Sequence, residues 1–220
     1  MNRIADYQSA ERIWANSLAA APNNWRAHFN LGVIHDEAGR IEESLIRFRE
    51  AVHIESRAYK AHTNLGNALY KLNRIGEAIE AYRRSLTINE QFDQTHFSLA
   101  VALHSAGRIE ESIREYEVAL KLNSRYTDAH YNLAALLQAL GKLADAEKHY
   151  RSAIGLRPDH ADAYNNLGNV LGLQGRLAEA AGCFEKALAL DPSMTEAAEN
   201  LHGIRAVMAD KSDGATNTLP

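Results

Sequence analysis

The sequence has little of what most functional classes require. A single cysteine, Cys183, excludes an intramolecular disulfide and a cysteine-based zinc cluster. Positive charge is not in excess: 24 Lys and Arg stand against 28 Asp and Glu, a formal net charge of −4. The general electrostatic attraction to nucleic acid is therefore missing, and no nucleic-acid partner is expected. No stretch has the apolar length of a membrane span, and the opening MNRIADYQSAER, with Arg3, Asp6, Glu11 and Arg12, holds no apolar run suited to a signal peptide. There is no phosphate-cradling glycine loop, no nucleophile elbow and no HExxH helix. Cys183 has no evident activating partner and reads as an inert, packed thiol. A non-enzyme without cofactor or metal, soluble and cytoplasmic, is the expectation. What the chain does have is a hydrophobic fraction of 46%, ample for a core, which excludes disorder throughout.

That apolar material is arranged at one period. Leu31, Leu65, Leu99, Leu133, Leu167 and Leu201 each follow the last by 34 residues, whereas leucine at random fills roughly one position in ten. The next column reads Gly32, Gly66, Ala100, Ala134 and Gly168, and another reads Ala10, Ser44, Ala78, Ser112, Ala146 and Ala180. An aromatic column holds Trp14, Phe48, Tyr82, Tyr116, Tyr150 and Phe184. Within each unit the apolar residues recur at three and four, twice over, as in Leu65, Leu69 and Leu72 and then Ile75, Ile79, Tyr82 and Leu86. That is two amphipathic helices. Gly39, Asn73, Gly107, Gly141 and Gly175 lie between them, residues that tolerate the left-handed conformation used to end a helix. Pro22, Pro158 and Pro192 close the second helix. One helical pair buries too little to stand alone, so stacking must supply the core.

The Leu-Gly, Ala, aromatic, Ala and Pro pattern of LGNALYKLNRIGEAIEAYRRSL and its neighbours resembles the tetratricopeptide repeat family. The resemblance implies an all-α fold, a right-handed superhelical α-solenoid of helix-turn-helix units. Residues 1–24 read as a half repeat or cap helix carrying Tyr7, Ala10, Trp14, Ser17 and Pro22 in register. Five units follow at 25–58, 59–92, 93–126, 127–160 and 161–194. Residues 195–208 read as a capping helix with Ala198, Leu201 and Ile204 toward the stack, and 209–220 as a disordered tail. Apolar surface on the first helix, around Tyr7, Ile13, Trp14 and Leu18, marks a contact: self-association, or continuation of a longer array.

The resemblance also implies that the first helices line the concave face. Just before each repeated leucine stand Asn30, Asn64, Ser98, Asn132, Asn166 and Asn200. Asparagine costs several tenths of a kcal/mol relative to alanine inside a helix, so its recurrence needs a reason. An amide both donates and accepts, and rungs about 10 Å apart would meet every third residue of an extended peptide advancing about 3.3 Å per residue. The array is similar in this to the asparagine-lined repeats of O-linked N-acetylglucosamine transferases, where the ladder holds protein substrates. The other reading is that these amides serve packing or local hydrogen bonding. Phe29, Thr63, Phe97, Tyr131 and Asn165 precede the ladder by one residue, and Val33, Asn67, Val101, Ala135 and Asn169 lie four further on, so the groove should be partly apolar.

Charge along these helices is uneven. Arg26, Lys60 and Lys71 lie toward the amino end, and Asp128, Asp162, Glu196 and Glu199 toward the other. The Lys and Arg clamp by which family cochaperones hold acidic chaperone tails is absent, its positions holding residues such as Thr63, Ser98 and Asp128. His28, His62, His96 and His130 also recur at 34. Equivalent positions about 10 Å apart cannot share a zinc whose ligands lie about 2 Å from it, so they read as core fillers whose protonation would destabilise the array. The expected function is a protein-interaction scaffold binding a peptide segment of a partner, with the substrate-recruiting repeats of a glycosyltransferase, O-GlcNAc transferase-like or transmembrane mannosyltransferase-like, as the alternative. The candidate peptide-binding residues are Asn30, Asn64, Asn132, Asn166, Asn200, Phe29, Phe97, Tyr131, Asn67 and Asn169.

Overall fold

A computed structural model describes residues 3–216, and among them there are twelve helices and no strand. They are α1 (Arg3–Ala20), α2 (Trp25–Glu37), α3 (Ile41–Ile54), α4 (Tyr59–Lys71), α5 (Ile75–Ile88), α6 (Asp93–Ser105), α7 (Ile109–Leu122), α8 (Thr127–Ala139), α9 (Leu143–Leu156), α10 (Ala161–Leu173), α11 (Leu177–Leu190) and α12 (Thr195–Thr216). The chain divides into two units, Met1–Leu122 and Asn123–Pro220. The first holds α1–α7 and the second α8–α12, each an all-α helical-repeat solenoid.

Every pair closes through the same turn. In the second repeat Leu72 N–H donates to the Ala68 carbonyl, Asn73 N–H to Tyr70 and Arg74 N–H to Leu69 at 2.9 Å, the six-to-one bond that ends a helix on a left-handed residue. Asn73 sits there at φ 58°, and Gly107 occupies the same slot in the third repeat at φ 72°. The partners then approach closely. A Cβ on Gly66 of α4 would lie 2.5 Å from a ring carbon of Tyr82 on α5, so the ring rests on bare helix backbone. In the first unit Leu45, Phe48, Leu69, Ile79, Tyr82, Leu99 and Leu103 form one continuous core running through the stack. In the second, Leu133, Leu137, Tyr150, Leu167, Leu171, Phe184 and Leu201 are buried. Each such side chain contributes about 1.5–3 kcal/mol by leaving water.

Several polar groups inside the stack are matched to one another. Thr63 Oγ1 lies 2.8 Å from Ser85 Oγ and 2.7 Å from Thr95 Oγ1, a buried hydroxyl cluster joining α4, α5 and α6. The histidine column repeats a single contact, in which Nε2 of His28, His62, His96 and His130 bonds the carbonyl six residues earlier, of Pro22, Ser56, Glu90 and Ser124, at 3.0–3.1 Å. Each histidine thereby ties its helix to the turn that precedes it. On the second helices arginines pair with glutamates of the next repeat: Arg83 reaches Glu111 at 3.0 Å and Arg49 reaches Glu77 at 3.6 Å. These pairs are exposed and screened by solvent, so they contribute little to stability.

The two ends differ from the sequence expectation. On α1, Ile13 is exposed while Trp14 and Leu18 are half-buried, and the side chain of Tyr7 lies outside the described residues. The helix docks on the first repeat through Glu11 and Arg40, 2.9 Å apart. At the other end α12 continues past 208 to Thr216, because nothing before Thr216 removes a backbone donor and the glycine beyond 208, Gly214, costs only about 1 kcal/mol. The expected disordered tail thus begins inside α12, and 217–220 lie outside the described residues. Ala197, not Ala198, faces the stack: Ala197, Leu201 and Ile204 share one face at spacings of four and three, and Ala198 is exposed.

Glycine substitutions separate conformation from space. Gly107→Ala is expected to lower stability by about 1 kcal/mol through its left-handed φ. Gly76→Ala, in open space on α5, is expected to raise it by about 0.5 kcal/mol through helix propensity. Urea midpoints of the two variants should therefore move in opposite directions.

Candidate functional site

The first helices of successive repeats touch one another within each unit, α2 with α4 and α4 with α6, and α8 with α10 and α10 with α12. The candidate residues all lie on these helices. In the first unit Asn30 is half-buried and donates from Nδ2 to the Arg26 carbonyl at 2.7 Å, which leaves its Oδ1 without a hydrogen-bonded partner among the described residues. Asn64 is half-buried and accepts a long bond, 3.4 Å, from Asn67 Nδ2. Asn67 in turn accepts from the Tyr82 hydroxyl at 2.8 Å. Phe97 lies edge-on to Tyr116 at 5.8 Å between ring centres, and Phe29 packs against Phe48 at 5.9 Å. Asn67, Phe97, Ser98 and Val101 line a small recess of about 180 Å³.

The second unit uses its amides differently. Asn166 Nδ2 donates to the Tyr131 hydroxyl at 3.1 Å, and Asn200 Nδ2 to Asn169 Oδ1 at 2.9 Å, so both pairs bridge consecutive first helices. Asn169 also reaches Glu196 at 3.4 Å. Tyr131 stacks on His160 at 4.8 Å and meets Tyr150 edge-on at 5.9 Å. Burial and the nearby Asp162 carboxylate hold its phenol protonated above the usual range, against the Asn166 bond that favours ionisation. Asn132 is half-buried with no hydrogen-bonded partner among the described residues.

Two expectations change. The column preceding the ladder is only partly a groove wall: Thr63 and Asn165 are buried, while Phe29, Phe97 and Tyr131 keep an exposed edge. This column faces the second helix of its own pair, so a short side chain is covered and a long aromatic one reaches out. The cationic end is also narrower than the sequence indicates, because Lys71 is neutralised by Asp36 at 2.7 Å. Sequence reasoning missed a cleft of about 680 Å³ lined by Trp25, Arg26, Phe29 and Asn30 and by Glu55, Arg57, Ala58, Tyr59 and Lys60. The available signal was Trp25 and Tyr59, aromatic residues 34 apart at the first position of the first two units only.

Comparison with known proteins agrees with the helical-repeat fold. Tetratricopeptide repeat family models match residues 3–58, 59–92 and 125–193, and a TPR repeat model matches 102–141. Among solved structures, YrrB, "a TPR protein with an unusual peptide-binding site", is 19% identical with a TM-score of 0.73, over 84% of this chain and 96% of that one. PilF of Pseudomonas aeruginosa is 17% identical with a TM-score of 0.74, over 87% of each chain. MamA is 20% identical with a TM-score of 0.69, over 76% of this chain and 92% of that one. At such identities the likeness is one of fold. No curated protein sequence matches the chain. Among the described residues no helix is long and apolar enough to cross a membrane, and no group of three or more His, Cys, Asp or Glu is placed to hold a metal ion.

The histidines beside these helices do not behave alike, which corrects the expectation of one uniform neutral column. Burial lowers the pKa of His62, and of His130 despite its bond to the Ser124 carbonyl. His149 is pushed down to about 4 by burial and by His130, whose Nδ1 lies 2.9 Å from its own. The pair is one N–H···N hydrogen bond, possible only with at least one ring neutral. Burial also disfavours charge on His96, but Glu115 Oε2 at 2.6 Å and the Glu90 carbonyl outweigh it and the pKa rises. Burial raises the Cys183 thiol, consistent with an inert residue. A histidine with a depressed folded pKa contributes stability that is complete above about 6.5 and lost as pH falls through the folded value. His96 works in the opposite direction, its contribution being lost as pH rises through its raised value. Both units therefore carry acid-sensitive histidines, His62 in the first and His130 and His149 in the second, and the contribution of His149 is lost between pH 6.5 and about 4. After discounting for solvent, His149→Leu should remove about 1 kcal/mol of the stability difference between pH 7 and pH 5. Urea melts at both pH values check this, and an unchanged difference would count against the pair.

Proposed function

The chain belongs to the tetratricopeptide repeat family, and from that premise we propose that it is a protein-interaction scaffold that holds an extended segment of a partner along the first helices of its repeats. The observation that carries this reading is the set of half-buried asparagines whose hydrogen-bonding capacity is unused among the described residues: the Oδ1 of Asn30, the amino group of Asn64 and both ends of Asn132. An amide that caps no helix end and leaves a donor or acceptor open is a poor structural choice in a helix, and a good one for meeting a peptide group that also offers one donor and one acceptor. Asn166 and Asn200 keep part of their capacity while bridging Tyr131 and Asn169, so they present a set, oriented face.

Such amides address the backbone of a partner and leave its side chains to the residues around them. The exposed edges of Phe29, Phe97 and Tyr131 offer apolar contact beside the amides. The likeness in fold to YrrB, whose description names a peptide-binding site, supports the same class of ligand here.

Each net hydrogen bond to a peptide is worth about 0.5–1.5 kcal/mol, so three together correspond to roughly tenfold or more in affinity. Replacing Asn64, Asn132 and Asn166 together by alanine should therefore reduce partner capture by about tenfold or more, as read by quantitative mass spectrometry against wild type. Circular dichroism should show the helices intact. Equal occupancy by the same partners on a folded triple variant would overturn the reading.

A further inference from the structure

Resting on that reading, we propose that the cleft at α2 and α4 of the first unit is the subsite that takes an acidic segment of the partner, a carboxylate flanked by an apolar side chain. Its walls combine two chemistries. Trp25, Phe29 and Tyr59 supply aromatic surface, and Arg26, Arg57 and Lys60 supply three cations, against the single carboxylate of Glu55. That carboxylate is turned back to its own chain, Oε1 accepting from the Arg57 backbone N–H at 3.1 Å.

No ion pair involves Arg26, Arg57 or Lys60 among the described residues, so all three cations at the cleft are open to a ligand. Other basic side chains of the same unit are matched: Arg40 with Glu11, Lys71 with Asp36, Arg74 with Glu77, and Arg83 and Arg108 with Glu111. The Arg26 guanidinium also lies 4.7 Å from the centre of the Trp25 ring, a cation–π contact between two residues of the cleft wall. Asn30 Oδ1, at the cleft wall, can accept a backbone N–H of the same segment.

Charge complementarity therefore names the occupant as anionic, and the aromatic walls require an apolar neighbour for the anion. A peptide meets both conditions and continues along the asparagines. A nucleic-acid strand needs repeated cations along its backbone. Here the corresponding column, positive at Arg26 and Lys60, becomes Gln94 within the same unit. In the second unit that column reads Asp128, Asp162 and Glu196, which would repel the same ligand.

The test uses the full chain and three fluorescein-labelled probes read by anisotropy: a decapeptide alternating Asp with Leu, its counterpart alternating Lys with Leu, and an oligothymidylate. The acidic peptide should bind about tenfold tighter than the basic one, with an affinity that falls as salt rises. The double substitution Arg57→Glu with Lys60→Glu, both at exposed positions, should reverse that preference. Equal binding of the two peptides, a preference untouched by the charge reversal, or tighter binding of oligothymidylate would each overturn the subsite. The asparagine triple variant separates the two ideas. Loss of partner capture there, with no charge preference at the cleft, removes the subsite and keeps the scaffold; a cleft preference with capture unchanged in the triple variant removes the proposed groove, on which the subsite rests.

Discussion

The structure depends on a steric fit that is repeated in both units: an aromatic ring on the second helix lying on backbone of the first, where no side chain intervenes. Phe48 over Gly32, Tyr82 over Gly66 and Phe184 over Gly168 each leave a virtual Cβ within 2.5–2.6 Å of ring carbon. That contact sets how closely a pair can close, and closure brings Leu69, Ile79, Leu99 and Leu103 into one apolar core across repeats. The energy of the pair is not its own. Part of what each helix buries is buried against the next repeat, which is why stability in such arrays resides in interfaces between neighbours.

Because cohesion is supplied by that apolar seam, polar side chains on the first helices are released for other roles, and two groups of them use the freedom differently. The histidines are consumed by architecture, each Nε2 fastening the preceding turn, and the hydroxyls of Thr63, Ser85 and Thr95 satisfy one another out of water. The asparagines are consumed only in part. Asn132 has no bonded partner among the described residues, and Asn30 and Asn64 each retain half of an amide. A scaffold that reads a partner's backbone needs this kind of surplus, and the surplus of cation at Arg26, Arg57 and Lys60 follows the same logic for side chains. Both are groups whose natural complement lies outside the chain.

Electrostatics on the second helices serve a different purpose. Glu77, Glu111 and Glu179, which a helix dipole alone would explain in the first turn, each bridge an arginine of their own repeat and one of the repeat before: Arg74 and Arg49, Arg108 and Arg83, Arg176 and Arg151. The carboxylates of all three are held below the usual range, first by the hydrogen bond to the adjacent arginine. Glu147, nearly buried, is desolvated, which alone would raise its pKa, yet Arg176, Gln174 and Arg151 bring it down. Register between repeats is thus marked by charge on the outside of the pairs and by apolar fit within them.

Most of this was legible as periodicity. A 34-residue column of leucine, small residues and aromatic rings is a statement about which face of each helix meets a neighbour, and the burial of Leu31, Leu99, Leu133, Tyr82, Tyr116 and Tyr150 follows from it. The placement of Asn30, Asn64, Asn132, Asn166 and Asn200 on first helices was legible for the same reason. Contacts that depend on reach rather than on face were not. Thr63 and Asn165 share a column with Phe29 and Tyr131, yet the shorter side chains are covered. Lys71 finds Asp36 across a gap of 35 residues, and His96 meets a carboxylate where His130 meets a second histidine, because the residue nineteen positions on differs between repeats. By itself the sequence determined the helices, their pairing and the family, since these need only the spacing of apolar and small residues along one chain. The tertiary structure alone decided which amides and cations remain unmatched, since that is settled by distances between side chains on separate helices.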